Sequence, residues 1–341
     1  MELFAGLLII ALGSLGQSSS YVPIKKVRNW AWECFWLVQG IFAWLVFPLV
    51  GALIGVPQGM SLFELYGNGD VTTPIIYGML WGIGGLTFGL SMRYLGIALG
   101  QSIALGTCSA FGTLLPAIFA GTDLFHGAGL ILLIGVCITL AGISIIGYAG
   151  SLRSENMSEE EKKEAIKDFA LTKGLLVALL AGVMSSCFAL GLDAAVPLKD
   201  LAIYAGVDPL FAGLPVILLV TFGGFITNAS YCLFQNIRNH TFSQYFSVSG
   251  RDAFNNVMFC ALAGILWYSQ FFGLEVGKSF LRESPVLLAF SWCILMSLNI
   301  LFSNLWGIIL KEWRNCGRKA MIALIIGLAV LLFSVFFPSL F

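Results

Sequence analysis

The sequence predicts an all-α polytopic membrane protein with ten transmembrane helices. Hydrophobic residues make up 58% of the 341-residue chain and charged residues 11%, whereas a soluble domain carries roughly 25% charge. Ten apolar segments each reach the length of about 20 residues that a helix needs to cross a bilayer. The positive charges between these segments lie almost entirely on alternate loops.

The ten segments share high hydropathy and few charges. They comprise residues 3–22, 31–55, 72–92, 95–121, 126–149, 174–197, 207–234, 253–274, 285–310 and 319–340. The first segment has neither the basic start nor the cleavage site of a secretory signal, so we expect it to remain in the protein as a helix.

Positive charge distinguishes the two sides of the predicted bundle. The odd-numbered loops hold 15 of the 18 lysine and arginine residues, and the exceptions are Lys199, Lys278 and Arg282. Cationic loops stay on the cytoplasmic side of a membrane. The sequence therefore predicts that both termini lie on the outer face.

A charged linker divides the chain into two halves of five helices. Residues 151–173 form this linker, and their Glu-to-Lys spacings favour a short cytoplasmic surface helix. Because five is odd, the half at 174–341 enters the membrane in the opposite sense from the half at 1–150. This arrangement predicts two inverted five-helix repeats, a plan common among transporters.

Glycine pairs at GxxxG spacing indicate close helix packing. The pairs Gly51/Gly55, Gly78/Gly82 and Gly85/Gly89 all lie in apolar segments. Small residues at this spacing let two helix backbones approach closely in lipid. The eight cysteines contain no CxxC pair, so they predict packing residues and neither disulfides nor a metal site.

Two carboxylates in apolar segments are candidates for proton coupling. Glu33 opens the second segment beside Trp32 and Trp36, and Asp193 lies late in the sixth. A charge inside a membrane is unfavourable, so such residues mark functional sites by default. Alternatively, Glu33 stabilises a helix N-terminus and Asp193 contacts outer water. Glu275 is expected at the outer interface, paired with Lys278.

Neutral polar and aromatic side chains are candidates for binding a sugar. Amides donate and accept hydrogen bonds, as sugar hydroxyls do, and indole rings stack on the apolar face of a sugar. The candidate substrate residues are Gln17, Tyr21, Trp32, Trp36, Gln39, Gln101, Asn228, Trp267, Gln270 and Asn299. For any one of them, the alternative is an interhelical hydrogen bond that holds the bundle together.

Several classes of protein are excluded by the sequence. The chain has no HExxH, Walker or nucleophile-elbow motif, which argues against an enzyme and against an ATP-driven pump. No basic face outside the short loops would bind nucleic acid. We expect no cofactor and no metal.

Several polar segments of the chain resemble the L-rhamnose/proton symporter family of the drug/metabolite transporter superfamily. They are YVPIKKVRNWAWECFW (21–36), WGIGG and FGLSMRYLGIALG (81–100), AGVDPLFAGLP (205–215), LWYSQFF (266–272) and LKEWRNCGR (310–318). The resemblance implies ten helices in two inverted five-helix halves and proton-driven uptake of a deoxyhexose across a bacterial inner membrane. The outer face, on which the charge pattern places both termini, would then be the periplasmic one. The resemblance favours functional roles for Glu33, Trp32, Trp36, Trp267 and Gln270, and adds nothing for Asp193, Glu275 or Gln101.

The sequence thus predicts symport of L-rhamnose or a similar 6-deoxyhexose with protons, by alternating access. An exporter or exchanger of another metabolite in the same superfamily is the first alternative. A membrane receptor or scaffold is the second. The longest polar stretch, 151–173, is too short to be a signalling domain. The expected partners are the sugar, the proton and the lipid bilayer.

Overall fold

Ten long apolar helices confirm the predicted fold class. A computed structural model of the protein describes residues 2–95, 97–155, 171–314 and 316–341. Within these residues, ten helices are long and apolar enough to cross a membrane. They are α1 (Glu2–Ile24), α2 (Trp32–Ile54), α3 (Thr72–Leu95), α4 (Leu99–Phe119), α5 (Gly127–Glu155), α6 (Leu171–Tyr204), α7 (Leu214–Arg238), α8 (Gly250–Phe280), α9 (Pro285–Ile309) and α10 (Arg318–Leu340). Each coincides with one predicted apolar segment.

Local sequence explains where helices begin and break. At the start of α9, the Ser284 side chain accepts a hydrogen bond from the Leu287 backbone N–H at 3.4 Å, and Pro285 occupies the first turn. Proline suits this position because the first backbone N–H groups have no partner within the helix. Helix α6 breaks at Ala195, and Pro197 lies in the first turn of its second part.

Helix α2 changes its geometry in the middle. It is α-helical over Trp32–Gly40, π-helical over Ile41–Val46 and α-helical again over Phe47–Ile54. A π-helical turn holds more residues than an α-helical turn, so it changes which side chains face a given direction, and it occurs often at functional sites. The periodicity of the apolar residues gave no indication of this change.

The contacts between residues divide the chain into two units. The first unit comprises Met1–Gly82 and Gly191–Phe280. In it, α1 packs along α8, and α2 packs against both α7 and α8. All of the tryptophans of α2, α3 and α8 belong to this unit.

The second unit comprises Ile83–Leu190 and Leu281–Phe341. Its helix α5 packs against α4 and α10, and α9 packs against α4, α5 and α10. Each unit therefore contains helices from both halves of the sequence. The inverted symmetry of the halves 1–150 and 174–341 stays a prediction, and most of the linker helix expected within 151–173 lies outside the described residues.

The glycines of α3 let it approach α7 closely in the first unit. A Cβ atom added at Gly78 would overlap the Val220 carbonyl and lie 3.1 Å from the Gly223 Cα, and one at Gly82 would lie 2.8 Å from the Thr227 Cβ. The predicted close packing is thus confirmed for this pair. A Cβ atom added at Gly85 or Gly89, in contrast, would meet no atom of another helix within 4 Å among the described residues.

Replacing Gly78 by alanine is expected to destabilise the protein, because the new Cβ would push α3 away from the α7 backbone. Overpacking of this kind costs about 1–3 kcal/mol. The measurement is the melting temperature of the purified protein in detergent. Gly85→Ala is the matched control in the same helix, and it should leave the melting temperature unchanged or raise it. Equal melting temperatures for Gly78→Ala and the parent protein would contradict the packing seen here.

Candidate functional site

Five tryptophans contact one another in the first unit. They form the tryptophan cluster, which consists of Trp32, Trp36, Trp44, Trp81 and Trp267. Trp32 stacks on Trp36 with ring centroids 5.4 Å apart and planes 20° apart. Trp44 meets Trp36 at 5.8 Å and both Trp81 and Trp267 at 6.0 Å, always edge to face. Three helices, α2, α3 and α8, therefore contribute to one aromatic surface.

The local structure of α2 positions three of these rings. Trp32 and Trp36 are one helical turn apart, so they lie on the same face of the α-helical part. Trp44 lies in the π-helical part, and its ring folds back on Gly40. A Cβ atom at Gly40 would lie 2.6 Å from Cζ3 of Trp44. Only glycine at position 40 leaves room for this placement.

A glycine of α7, Gly224, also leaves room for the tryptophan of α3, Trp81. A Cβ atom at Gly224 of α7 would overlap the six-membered ring of Trp81. The same indole contacts Trp267 with ring centroids 5.7 Å apart. The Trp81 ring is therefore held between the backbone of α7 and the side chain of Trp267 on α8.

Amide groups border the tryptophan cluster. The Trp36 indole Nε1–H donates to Asn228 Oδ1 at 3.2 Å, and Asn228 Nδ2 donates to the Gly224 carbonyl at 2.9 Å. Gln270 is 4% exposed, and its Nε2 donates to the Trp267 carbonyl at 3.1 Å. Gln39 follows Trp36 by one turn and is equally buried. The structure thus bonds Asn228 to the cluster and places Gln39 and Gln270 within one turn of Trp36 and Trp267 on the same helices.

Glu33 is buried at the start of α2 and binds two neutral side chains. Its Oε1 accepts hydrogen bonds from Thr241 Oγ1 at 2.8 Å and from Asn239 Nδ2 at 3.0 Å. The carboxylate is 6% exposed. Both donors follow the end of α7, more than 200 positions along the chain. Sequence patterns could not have indicated them, because nothing local links Glu33 to that loop.

The hydrogen bonds of Glu33 belong to a network that joins two loops of the first unit. Residues 25–31 connect α1 to α2, and Trp30 Nε1 donates to the Gln244 carbonyl at 3.0 Å. The Arg28 N–H donates to Asn256 Oδ1 at 3.0 Å, and Asn256 Nδ2 donates back to the Arg28 carbonyl at 2.8 Å. The loop before α2 is thereby fixed to the α7–α8 loop and to the first turns of α8.

Glu275 forms an ion pair with a different lysine from the one expected. Its Oε1 accepts a hydrogen bond from Lys199 Nζ, whereas the sequence had suggested Lys278. Glu275 is 5% exposed, and its carboxylate lies against Gly213, where a Cβ atom would overlap it. The ion pair joins α8 to the second part of α6, which contains Lys199.

The other candidate residues lie elsewhere. Asp193 is exposed, close to the break in α6. Tyr21 is 54% exposed, and Gln17 accepts a hydrogen bond from Ser18 at 3.3 Å. Gln101 and Asn299 are half-buried in α4 and α9 of the second unit. None of these residues has a contact with the tryptophan cluster among the described contacts.

Sequence reasoning missed two members of the cluster, Trp44 and Trp81. Trp81 begins the segment WGIGG, which is one of those that resemble the symporter family, so this resemblance could have identified it. Trp44 lies eight residues after Trp36, and an α-helix would rotate it by about 80° away from the Trp36 direction. The π-helical turn changes this rotation. No pattern in the sequence therefore indicated the contact between Trp36 and Trp44.

Cysteines of the second unit pack as interhelical polar groups. Cys293 Sγ donates to Thr139 Oγ1 at 3.2 Å and lies 3.2 Å from Ser109 Oγ. These contacts join α4, α5 and α9. All eight cysteines of the chain are free, and seven are buried. They behave as the packing residues that the sequence predicted.

The family that the chain matches and the individual similar proteins carry the same description. Residues 2–339 match the family described as L-rhamnose-proton symport protein (RhaT). An L-rhamnose-proton symporter of Klebsiella pneumoniae (strain 342) is 33% identical over 328 residues, covering 94% of this chain and 93% of that protein. Proteins of the same description from Cronobacter sakazakii and Yersinia pestis are each 32% identical, covering 96% of this chain and 94% of theirs.

The likeness extends over nearly the whole chain, including α2, α3, α7 and α8, which carry the tryptophan cluster and Glu33. It is therefore not confined to one half of the chain. The protein belongs to the L-rhamnose-proton symport protein family.

Proposed function

We propose that this protein imports L-rhamnose, or a closely related 6-deoxyhexose, together with protons. Transport across the bacterial inner membrane would proceed by alternating access. Membership of the family supports this proposal, since its relatives are described as L-rhamnose-proton symporters. The single structural observation that carries it is the tryptophan cluster with its bordering amides in the first unit.

The tryptophan cluster suits a sugar with a methyl group. Indole faces bind the apolar C–H face of a pyranose ring, and the C6 methyl adds further apolar surface. Asn228, Gln39 and Gln270 supply donors and acceptors for the hydroxyls. Trp36 and Trp267, on α2 and α8, are the rings that we assign to stacking. Gln17, Tyr21, Gln101 and Asn299 stay predicted substrate residues.

Glu33 is the proposed proton carrier. Both of its hydrogen-bond partners are neutral, so protonation removes the buried charge without leaving a cation unpaired. A protonated carboxyl also accepts less well from Asn239 and Thr241, which would loosen the α7–α8 loop. Proton binding would thereby be linked to movement near this end of α2. Asp193 is the second candidate.

Uptake into liposomes tests the proposal. Purified protein is reconstituted, an inward proton gradient is imposed, and accumulation of radiolabelled L-rhamnose is followed together with external pH. Accumulation with external alkalinisation supports symport. Proton-independent exchange of rhamnose, or movement of a different metabolite only, would instead favour the exporter or exchanger alternative.

Both termini are proposed to lie in the periplasm. A single cysteine placed near Ser339, in a variant lacking the native cysteines, should react with a membrane-impermeant maleimide in intact cells. A cysteine at Arg153, at the end of α5, should react only after the cells are permeabilised. Labelling of Arg153→Cys but not Ser339→Cys in intact cells would reverse the proposed orientation.

A further inference from the structure

The indole N–H of Trp44 is buried without a partner. Trp44 is 5% exposed, and no hydrogen-bond acceptor among the described residues reaches its Nε1. Burying a donor in this way is unfavourable, and native proteins rarely leave one unsatisfied. A donor of this kind at the centre of an aromatic cluster therefore requires an explanation.

Three other tryptophans of the described chain show what the protein does with such donors. Trp30 Nε1 donates to the Gln244 carbonyl at 3.0 Å. Trp36 Nε1 donates to Asn228 at 3.2 Å, and Trp292 Nε1 donates to the Cys108 carbonyl at 3.3 Å. Since the fold provides acceptors for these three indoles, the missing acceptor at Trp44 is not a general feature of its tryptophans.

The orientation of the Trp44 ring is fixed from several sides. The π-helical turn Ile41–Val46 carries it, and Gly40 leaves the space in which it lies. Trp36, Trp81 and Trp267 each meet it edge to face at 5.8 to 6.0 Å. A donor held in this way is preorganised, because its rotamer is set before any ligand arrives.

A second unsatisfied atom lies on the same helix. Gln39 Oε1 is buried with no donor among the described residues, and Gln39 directly precedes the glycine that receives the Trp44 ring. The indole N–H can only donate, and the amide oxygen can only accept. A hydroxyl group does both, so sugar hydroxyls are the chemistry that fits the two atoms.

We propose that Trp44 is a substrate-recognition residue whose indole N–H donates a hydrogen bond to one oxygen of the transported sugar. The Gln39 amide oxygen accepts from a sugar hydroxyl beside it. This inference rests on the proposed function and extends it. It assigns one specific hydrogen bond to Trp44, which has no part in the proposed stacking of Trp36 and Trp267 on the sugar. A hydroxyl read in this way becomes a determinant of specificity, because an analogue without it leaves a buried group unpaired.

The experiment combines a sugar series with one substitution. Binding is measured by competition against radiolabelled L-rhamnose on the purified protein, with analogues that each lack one hydroxyl. In the parent protein, one analogue should bind about threefold to tenfold more weakly than L-rhamnose, as loss of one hydrogen bond predicts. Trp44→Phe should weaken L-rhamnose binding by a similar factor and abolish the discrimination against that one analogue.

Trp292→Phe is the matched control. It also removes a buried indole N–H, but one whose acceptor belongs to the protein. It should lower the melting temperature and leave the ranking of the analogues unchanged. If Trp44→Phe keeps the parent's discrimination against every analogue, or if the parent discriminates against none, the proposed hydrogen bond does not exist.

A second variant covers the case in which Trp44→Phe does not fold. Gly40→Ala keeps the indole but obliges the ring to turn, so it should weaken L-rhamnose binding and lose the same discrimination. Parent-like binding and discrimination in Gly40→Ala would overturn the assignment. If the parent protein binds no 6-deoxyhexose at all, the proposed function fails, and this inference fails with it. If the parent binds L-rhamnose and a variant keeps the parent's discrimination, only this inference fails.

Discussion

Glu33→Gln is expected to abolish accumulation of L-rhamnose against a gradient while leaving sugar binding intact. Glutamine keeps the size of the side chain and an acceptor for Asn239 and Thr241, but it cannot take up a proton. Parent protein should lose uptake as the external pH rises, because the carboxyl must be protonated before the carrier reorients. The variant should show no such pH dependence in liposomes, and no external alkalinisation.

Glu275→Gln is the matched control for this experiment. It also neutralises a buried glutamate, but one that pairs with Lys199. It should lower the melting temperature, since breaking a buried ion pair leaves an unpaired charge and costs about 3–5 kcal/mol. Rhamnose-dependent proton movement should persist. If Glu33→Gln still accumulates sugar with proton entry, the carrier lies elsewhere, and Asp193→Asn becomes the next variant to measure.

Trp267→Ala is expected to raise the apparent KM for L-rhamnose by about tenfold or more. Trp267 contacts Trp44, Trp81 and Phe271, so its removal takes away one wall of the proposed site and loosens the neighbouring rings. Losing an aromatic anchor of a binding site costs about 1–3 kcal/mol in binding. Initial rates of uptake at several sugar concentrations would separate this effect from a change in the number of active carriers.

Two further variants make the result interpretable. Trp267→Phe restores an aromatic ring and should recover most of the affinity. Trp313→Ala removes a tryptophan of the second unit, whose ring faces Arg153 at 5.4 Å, and it should affect stability without raising the KM. An unchanged KM in Trp267→Ala would remove this ring from the sugar site.

Much of the fold could be read from the amino-acid order. Segment length and hydropathy located all ten helices, because a lipid-facing helix must be apolar along its whole length. Helix packing was harder to predict, since Gly78 and Gly82 lie against α7, whereas a Cβ atom added at Gly85 or Gly89 would meet no described residue of another helix within 4 Å. The GxxxG spacing states which residues are small, but not which of them face another helix.

The candidate site was only partly readable. Trp32, Trp36 and Trp267 were identified because an indole ring in a membrane helix is a candidate for stacking on a sugar. All three also lie in segments that resemble the symporter family. Trp44 was not identified, because its position depends on a π-helical turn that the apolar pattern does not encode. The partners of Glu33 were also unreadable, since they lie in a loop on another part of the chain.

By itself the sequence determined the class of protein, the ten spans and the asymmetry of positive charge, because these follow from the solvation of each segment taken alone. Only the tertiary structure decided that five tryptophans contact one another, that Lys199 forms the close ion pair of Glu275, and that Glu33 accepts hydrogen bonds from Asn239 and Thr241. These contacts depend on helix rotation and backbone approach, which are set by packing between segments far apart in the chain.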